Sequence, residues 1–133
     1  MRSYQDALDL FSARRKRGTL NRGVKLANNT YLVWSDREPG TDPKWFAVRL
    51  HDTNIVTYHW DGRIVLDSGG WDTVTTKRRM NDYTPPRWSF YQKAYLWFLV
   101  DHEKGWENAP TVHYEDGMIL APDGSVNPPG DFR

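Results

Sequence analysis

The dipeptide Asp61-Gly62 stands between two runs of β-forming residues, NIVTYHW (Asn54 to Trp60) and RIVLD (Arg63 to Asp67). A two-residue loop of this composition suits a type I′ turn, whose left-handed backbone matches the twist of an antiparallel pair. The turn therefore predicts a hairpin with Trp60 opposite Arg63, His59 opposite Ile64, Tyr58 opposite Val65 and Thr57 opposite Leu66. Arg63 then lies over Trp60 as a cation–π pair. A chain committed to this hairpin is committed to a sheet.

The surrounding residues extend that sheet. Thr30 to Trp34 is expected as the first strand, followed by a Pro/Gly loop at 38–43 and by Trp45 to Leu50, with a tight turn at His51-Asp52-Thr53 leading into the hairpin. Gly69-Gly70 breaks the chain, and Trp71 to Thr75 is expected as a further strand. Thr76 caps a short helix through Lys77, Arg78, Arg79, Met80 and Asn81, stopped before Pro85-Pro86. Arg87 to Val100 is the longest β-like stretch. Val112 to Tyr114 and Met118 to Leu120 form a last hairpin around Glu115-Asp116-Gly117, and Asp123-Gly124 is another turn.

Ahead of the sheet, Ser3 to Arg17 has the marks of a helix: Ser3 as N-cap, Asp6 and Asp9 early, four cations late, and Gly18 as the stop. Tyr4, Leu8 and Phe11, with Ala7, give it a narrow apolar stripe. At this length a helix is marginal alone and must dock on the sheet. Hairpin spacings in place of βαβ spacings argue for an α+β fold: an N-terminal helix packed on a mainly antiparallel, twisted β-meander of about five to seven strands, open to barrel-like closure. One domain over residues 1–124 is expected, with 1–18 a basic helix, 30–121 the β-rich core and 125–133 a frayed tail.

The core of such a domain comes from a few large rings. The chain holds seven Trp and seven Tyr, and each ring buries roughly 150–250 Å². With no cysteine, disulfides and thiolate metal sites are excluded. The longest apolar run, Ala94 to Val100, is strand length and far short of the ~18 residues of a membrane span. A cytoplasmic protein without a membrane partner is the expectation.

Charge is segregated although the net charge is only +1. Cations gather in Arg14, Arg15, Lys16 and Arg17 and again in Lys77, Arg78 and Arg79, whereas residues 101–133 carry seven acids against Lys104 and Arg133. An anionic partner on one face fits this layout; so does neutralisation of the basic segments by the acidic third within the fold.

The segment Gly69, Gly70, Trp71, Thr75, Thr76, Lys77, Arg78, Arg79 is the candidate anion site. Paired glycines let backbone N–H groups converge into a nest, and a helix starting near Thr76 directs further donors at a phosphate. The spacing is not that of a Walker loop, and a glycine-requiring bulge beside a solvated strand explains the same residues. Nucleic acid is the natural extension: Trp60, Trp71, Trp88 or Tyr83 stacking bases, with 14–17 and 77–79 tracking phosphates.

Enzymatic alternatives are weaker. His51-Asp52, His59 with Asp61, and His102-Glu103 invite a metal, but His51 and His59 sit eight positions apart, roughly 26 Å along a strand at ~3.3 Å per residue. Two ligands at His59 and Asp61 are too few for a site. No GxSxG elbow and no isolated carboxylate pair is present. No catalytic residue, metal ligand set or cofactor is assigned.

Three blocks in order, KLANNTYLV (Lys25 to Val33), AVRLHDTNIVTYHWDGRIVLDSGGWDTVTTKRRMN (Ala47 to Asn81) and YEDGMILAPDG (Tyr114 to Gly124), resemble a family of small uncharacterised proteins encoded by tailed bacteriophages, notably of actinobacteria. The resemblance covers roughly residues 22–124 and leaves out the basic helix. It implies a phage protein acting in the cytoplasm of its bacterial host and brings no catalytic residue. The leading expectation is an accessory protein that binds nucleic acid or another phosphate-bearing ligand. The alternatives are a modulator or inhibitor of a host protein or defence system working through the surplus aromatics, and, behind it, a small metal-dependent hydrolase. Homodimer formation through an edge strand is a further expectation.

Overall fold

The computed structural model describes residues 1–16, 23–71, 73–104 and 111–129. Helix α1 spans Tyr4–Lys16. Ser3 caps it, its Oγ accepting the Asp6 N–H at 3.1 Å. The apolar stripe docks as its spacing requires: Ala7 and Phe11 are buried, and Tyr4 lies 5.3 Å from Phe46, ring centroid to centroid. Phe11 meets Trp34 and Phe46 edge-on at 5.0 and 5.5 Å, and the Arg37 guanidinium covers its other side at 5.4 Å. Aromatic contacts in place of intrinsic propensity hold this short helix. Arg17 and Gly18, read as its end, lie outside the described residues.

The main sheet contains β1 (Val24–Ala27), β2 (Thr30–Trp34), β3 (Trp45–Leu50), β4 (Thr53–His59), β5 (Ile64–Leu66), β9 (Met118–Leu120) and β10 (Val126–Asn127), in that spatial order. Every pairing is antiparallel. One face carries Leu32, Phe46, Val48, Leu50, Val56, Tyr58, Ile64, Leu66, Met118 and Leu120 into the core. Thr30 to Trp34 is the second strand and not the first, because Val24–Ala27 precedes it across a turn with Asn29 at φ +53°. Ile55 is the extra residue of a β-bulge, since Val48 pairs with Val56 but Arg49 pairs with Asn54. Barrel closure does not occur among the described residues: β1 and β10 end the sheet unpaired with each other. The sheet also runs into the stretch read as a frayed tail, with Val126 opposite Leu120.

The hairpin register differs by one residue from the type I′ expectation. Tyr58 pairs with Ile64, Thr57 with Val65 and Val56 with Leu66. Only Gly62 of the Asp61-Gly62 pair has a positive φ, +94°. The loop holds three residues, closed by Gly62 N–H to the His59 carbonyl at 3.0 Å and His59 N–H to the Arg63 carbonyl at 2.9 Å. Asp61 accepts the Arg63 N–H at 3.1 Å and its Nε at 2.9 Å, so the loop gives Arg63 a carboxylate partner. A one-residue slip moves a whole strand to the other face. Here it places Ile64 and Leu66 with Val56 and Tyr58 in the core, and that burial outweighs the local preference of the turn.

Between β5 and β9 the chain builds helix α2 (Val74–Tyr83) and a second sheet of β6 (Trp88–Lys93), β7 (Leu96–Asp101) and β8 (Thr111–His113) in the order 6-7-8. Val74 and Thr75, expected in a strand, are the first residues of this helix. Thr73 is the N-cap, accepting the Thr76 N–H at 3.1 Å and meeting the Thr76 hydroxyl at 2.9 Å. The helix therefore starts three residues earlier than a Thr76 cap implies, and capping with burial of Thr76 and Met80 overrides the β-preference of a Thr/Val run. Arg87 to Val100 is two strands, turned at Ala94 and Tyr95 with φ +53° and +68°. No glycine or asparagine marks this turn. Nor are Val112 to Tyr114 and Met118 to Leu120 a hairpin: β8 pairs with β7, and β9 with β5 and β10. Glu115 to Gly117 is a corner between sheets, anchored by Gly117 N–H to the Leu66 carbonyl at 2.6 Å.

Two polar side chains lock these layers. Tyr58, fully buried, donates its hydroxyl to the Tyr83 carbonyl at the end of α2, and burial pushes its phenol well above the usual range. Asn81 bonds both backbone groups of Phe90, accepting its N–H at 2.8 Å and donating to its carbonyl at 3.2 Å. It occupies the place a further strand would take at the edge of β6. Asn81→Ala strips both partners at once and should lower unfolding free energy by about 1–3 kcal/mol, read from urea midpoints. Phe11→Ala should cost about 3–5 kcal/mol and release α1.

Candidate functional site

Beyond β5 the chain turns at Asp67-Ser68-Gly69-Gly70, and both glycines take left-handed backbone, φ +65° and +81°. At Gly69 a Cβ would lie 2.4 Å from the Thr53 hydroxyl oxygen, so close approach to β4 as well as backbone geometry demands glycine there. The converging donors that a nest requires meet acceptors of the chain itself. Ser68 N–H and Oγ both donate to the Asp116 carboxylate, at 2.8 and 3.0 Å. Gly69 N–H donates to Asp67 Oδ1 at 2.7 Å and Gly70 N–H to Ser68 Oγ at 3.3 Å. Tyr114 adds its hydroxyl to Asp116 at 2.6 Å. Asp116 belongs to the acidic C-terminal third, and it fills the role an external anion would take.

The electrostatics follow from that network. Burial alone would raise the Asp116 carboxyl, but hydrogen bonds from the Tyr114 hydroxyl, the Ser68 amide and hydroxyl, and the Gly70 amide outweigh it and hold the group below the usual carboxylate range. Tyr114 is displaced the opposite way, its phenol pushed up by burial and by the carboxylate it donates to.

The same segment walls a cleft of about 620 Å³, whose lining includes Leu50 and Ile55, the His51-Asp52 turn, Thr53, and the run Trp71, Thr73, Thr75 and Thr76. Trp71 stands 65 % exposed at its mouth. Thus Ser68, Trp71, Thr75 and Thr76 are brought together, whereas Lys77, Arg78 and Arg79 are not part of the lining. Lys77 is half-buried and Arg78 exposed on the turns of α2 that follow. Arg79 faces Asp82 at 3.6 Å, and its Nε is enclosed with no hydrogen-bond partner.

Arg14 and Arg15 are exposed near the end of α1, and Lys16 is its last residue; Arg17 is not described. Phe11 seats that helix on Trp34 and Phe46, while the cleft opens beyond Leu50 at the other end of β3. The four-residue step from Phe46 to Leu50 spans about 13 Å. Among the described residues of that basic run, neither Arg14 nor Arg15 is part of the cleft lining.

Of the rings nominated for stacking, Trp60 and Trp71 are exposed, Tyr83 is half-buried and Trp88 is buried beneath the Arg87 guanidinium at 5.1 Å. Burial lowers the His59 pKa against the pull of Asp61, and the Arg63 hydrogen bonds depress Asp61. Among the described residues no three His, Cys, Asp or Glu side chains come together as a metal ligand set.

One group of rings escaped the sequence reading. On the outward side of the second sheet, Tyr91 stacks on Phe98 at 5.4 Å with planes 25° apart, and Phe98 meets His113 at 5.8 Å. Tyr95 and Leu96 stand exposed at the adjoining turn. Reading 87–100 as one strand hid this, because side-chain parity restarts after the unmarked turn.

A family model described as Kyanoviridae Gp96 protein matches residues 17–121, and the chain belongs to that family. The match begins where α1 ends, so the basic helix lies outside it. Neither a curated protein nor a solved structure matches. Among the described residues no helix is long and apolar enough to cross a membrane.

The depressed Asp116 carboxyl has a signed consequence. A group whose folded pKa lies below its unfolded value, about 3.9, contributes stability fully above that value and loses it as pH falls through the folded one. Asp116→Asn should lower the urea midpoint at pH 7 and flatten the further loss of stability between pH 4 and more acidic conditions. An unchanged acid profile would show that Asp116 does not carry the effect.

Proposed function

We propose that this phage protein acts by binding and that its ligand is single-stranded nucleic acid. Trp71, at the cleft mouth, offers a ring face to a base, and Lys77 and Arg78 on α2 attract the phosphates beside it. The carrying observation is the position of the exposed Trp71 ring immediately ahead of the helix bearing those cations. Base stacking on an aromatic ring tolerates any sequence, and cations along the backbone supply salt-dependent affinity. The reading differs from a phosphate nest at Gly69-Gly70, because those amides already serve Asp67 and Ser68. Action in the cytoplasm of the infected bacterium is part of the proposal, supported by phage family membership.

Fluorescence anisotropy with an end-labelled oligo-dT tests it. Affinity should fall steeply with salt. Lys77→Glu with Arg78→Glu should weaken binding and reduce the log–log salt slope by about 1.4, two contacts at ~0.7 each on a single strand. Trp71→Ala should cost about 1–3 kcal/mol, one stacked base. Circular dichroism checks that the variants fold. Binding indifferent to salt and to all three substitutions, or no binding by the wild type, removes the reading.

A further inference from the structure

We infer that the outward face of the second sheet is a separate stacking platform for a single strand of nucleic acid. It rests on the reading above for the kind of ligand, and on different residues for the site. Side chains of β6 to β8 alternate between two environments. Trp88, Phe90, Trp97 and Leu99 enter the core, so Ser89, Tyr91 and Lys93, Leu96, Phe98 and Val100, and Thr111 and His113 occupy the other side. The pairings set these in rungs: Ser89–Val100–Thr111, Tyr91–Phe98–His113 and Lys93–Leu96.

The middle rung is the feature that points to bases. Three rings from three neighbouring strands follow one another at 5.4 and 5.8 Å, the arrangement by which an open sheet face stacks two or three unpaired bases. Tyr95, 93 % exposed, extends the aromatic surface past the turn. Charge complementarity selects the occupant. The chain has 17 acidic residues, yet among the described residues no carboxylate stands at an outward strand position of this sheet, while Lys93 does. Glu103, which follows β7, is held by Arg87 at 2.8 Å. Carboxylates repel phosphates, so their lack on this face suits a polyanionic strand.

The experiment uses full-length protein and an oligo-dT of sixteen nucleotides carrying 4-thiothymidine, read by anisotropy and by mapping of photo-cross-links. Tyr91→Ala with Tyr95→Ala removes the two rings, and circular dichroism checks that the variant folds; Lys93→Glu with His113→Glu is the charge counterpart. Both double variants should weaken binding about tenfold or more, and cross-links should map to Tyr91, Tyr95 or Phe98. If binding is unchanged in both and cross-links fall only near Trp71, the platform is overturned and the proposed function stands. Wild-type protein that binds no oligonucleotide but captures a host protein through Tyr91 and Tyr95 overturns the platform as well, and the proposed function with it.

Discussion

Asp116 is the point on which the layers of this protein converge. Its carboxylate takes the Ser68 amide and hydroxyl from the lead into α2, and the Tyr114 hydroxyl from the end of the second sheet. Next to it, Gly117 returns the chain to the edge of β5. A charged acceptor with several donors is worth more than neutral pairs and fixes their relative position. The turn at Ser68 and the β8–β9 corner thus share one anchor. The segment that looks in sequence like a receptor for an external anion is a joint closed by an internal one.

How much of this was legible in the residues depended on whether the deciding interaction was local. Helix α1 was readable because Ser3, the early acids and the Tyr4, Leu8, Phe11 spacing all act within one element. Strands β3 and β4 were readable from composition, and the α+β class followed from hairpin spacing. The register after Asp61-Gly62 was not, because a pair of residues chooses a turn type only if the faces it produces suit the core. The Ala94-Tyr95 turn left no mark at all, since neither residue belongs to the group that favours left-handed backbone. The β8–β9 corner imitates a hairpin in sequence and differs only in its distant partners.

The candidate site shows the same division. That Ser68, Trp71, Thr75 and Thr76 share one cleft follows from the break at the glycines and the helix after it, both visible in the chain. The destination of the Ser68 amide and hydroxyl was set by Asp116, 48 positions further on, and no spacing rule reaches that far. Cations adjacent in sequence dispersed because consecutive helical residues point in different directions: Arg78 faces solvent while Arg79 turns toward Asp82. A run of like charges on a helix is therefore a poor guide to a patch.

Asn81 carries an implication beyond stability. Its amide sits where a neighbouring strand would hydrogen-bond to β6, so one border of the three-stranded sheet is sealed by a side chain. A peptide laid alongside β6, or another molecule of the same kind, has to displace that carboxamide to pair at Phe90. A single carboxamide on a helix thus guards the middle of that edge against strand addition.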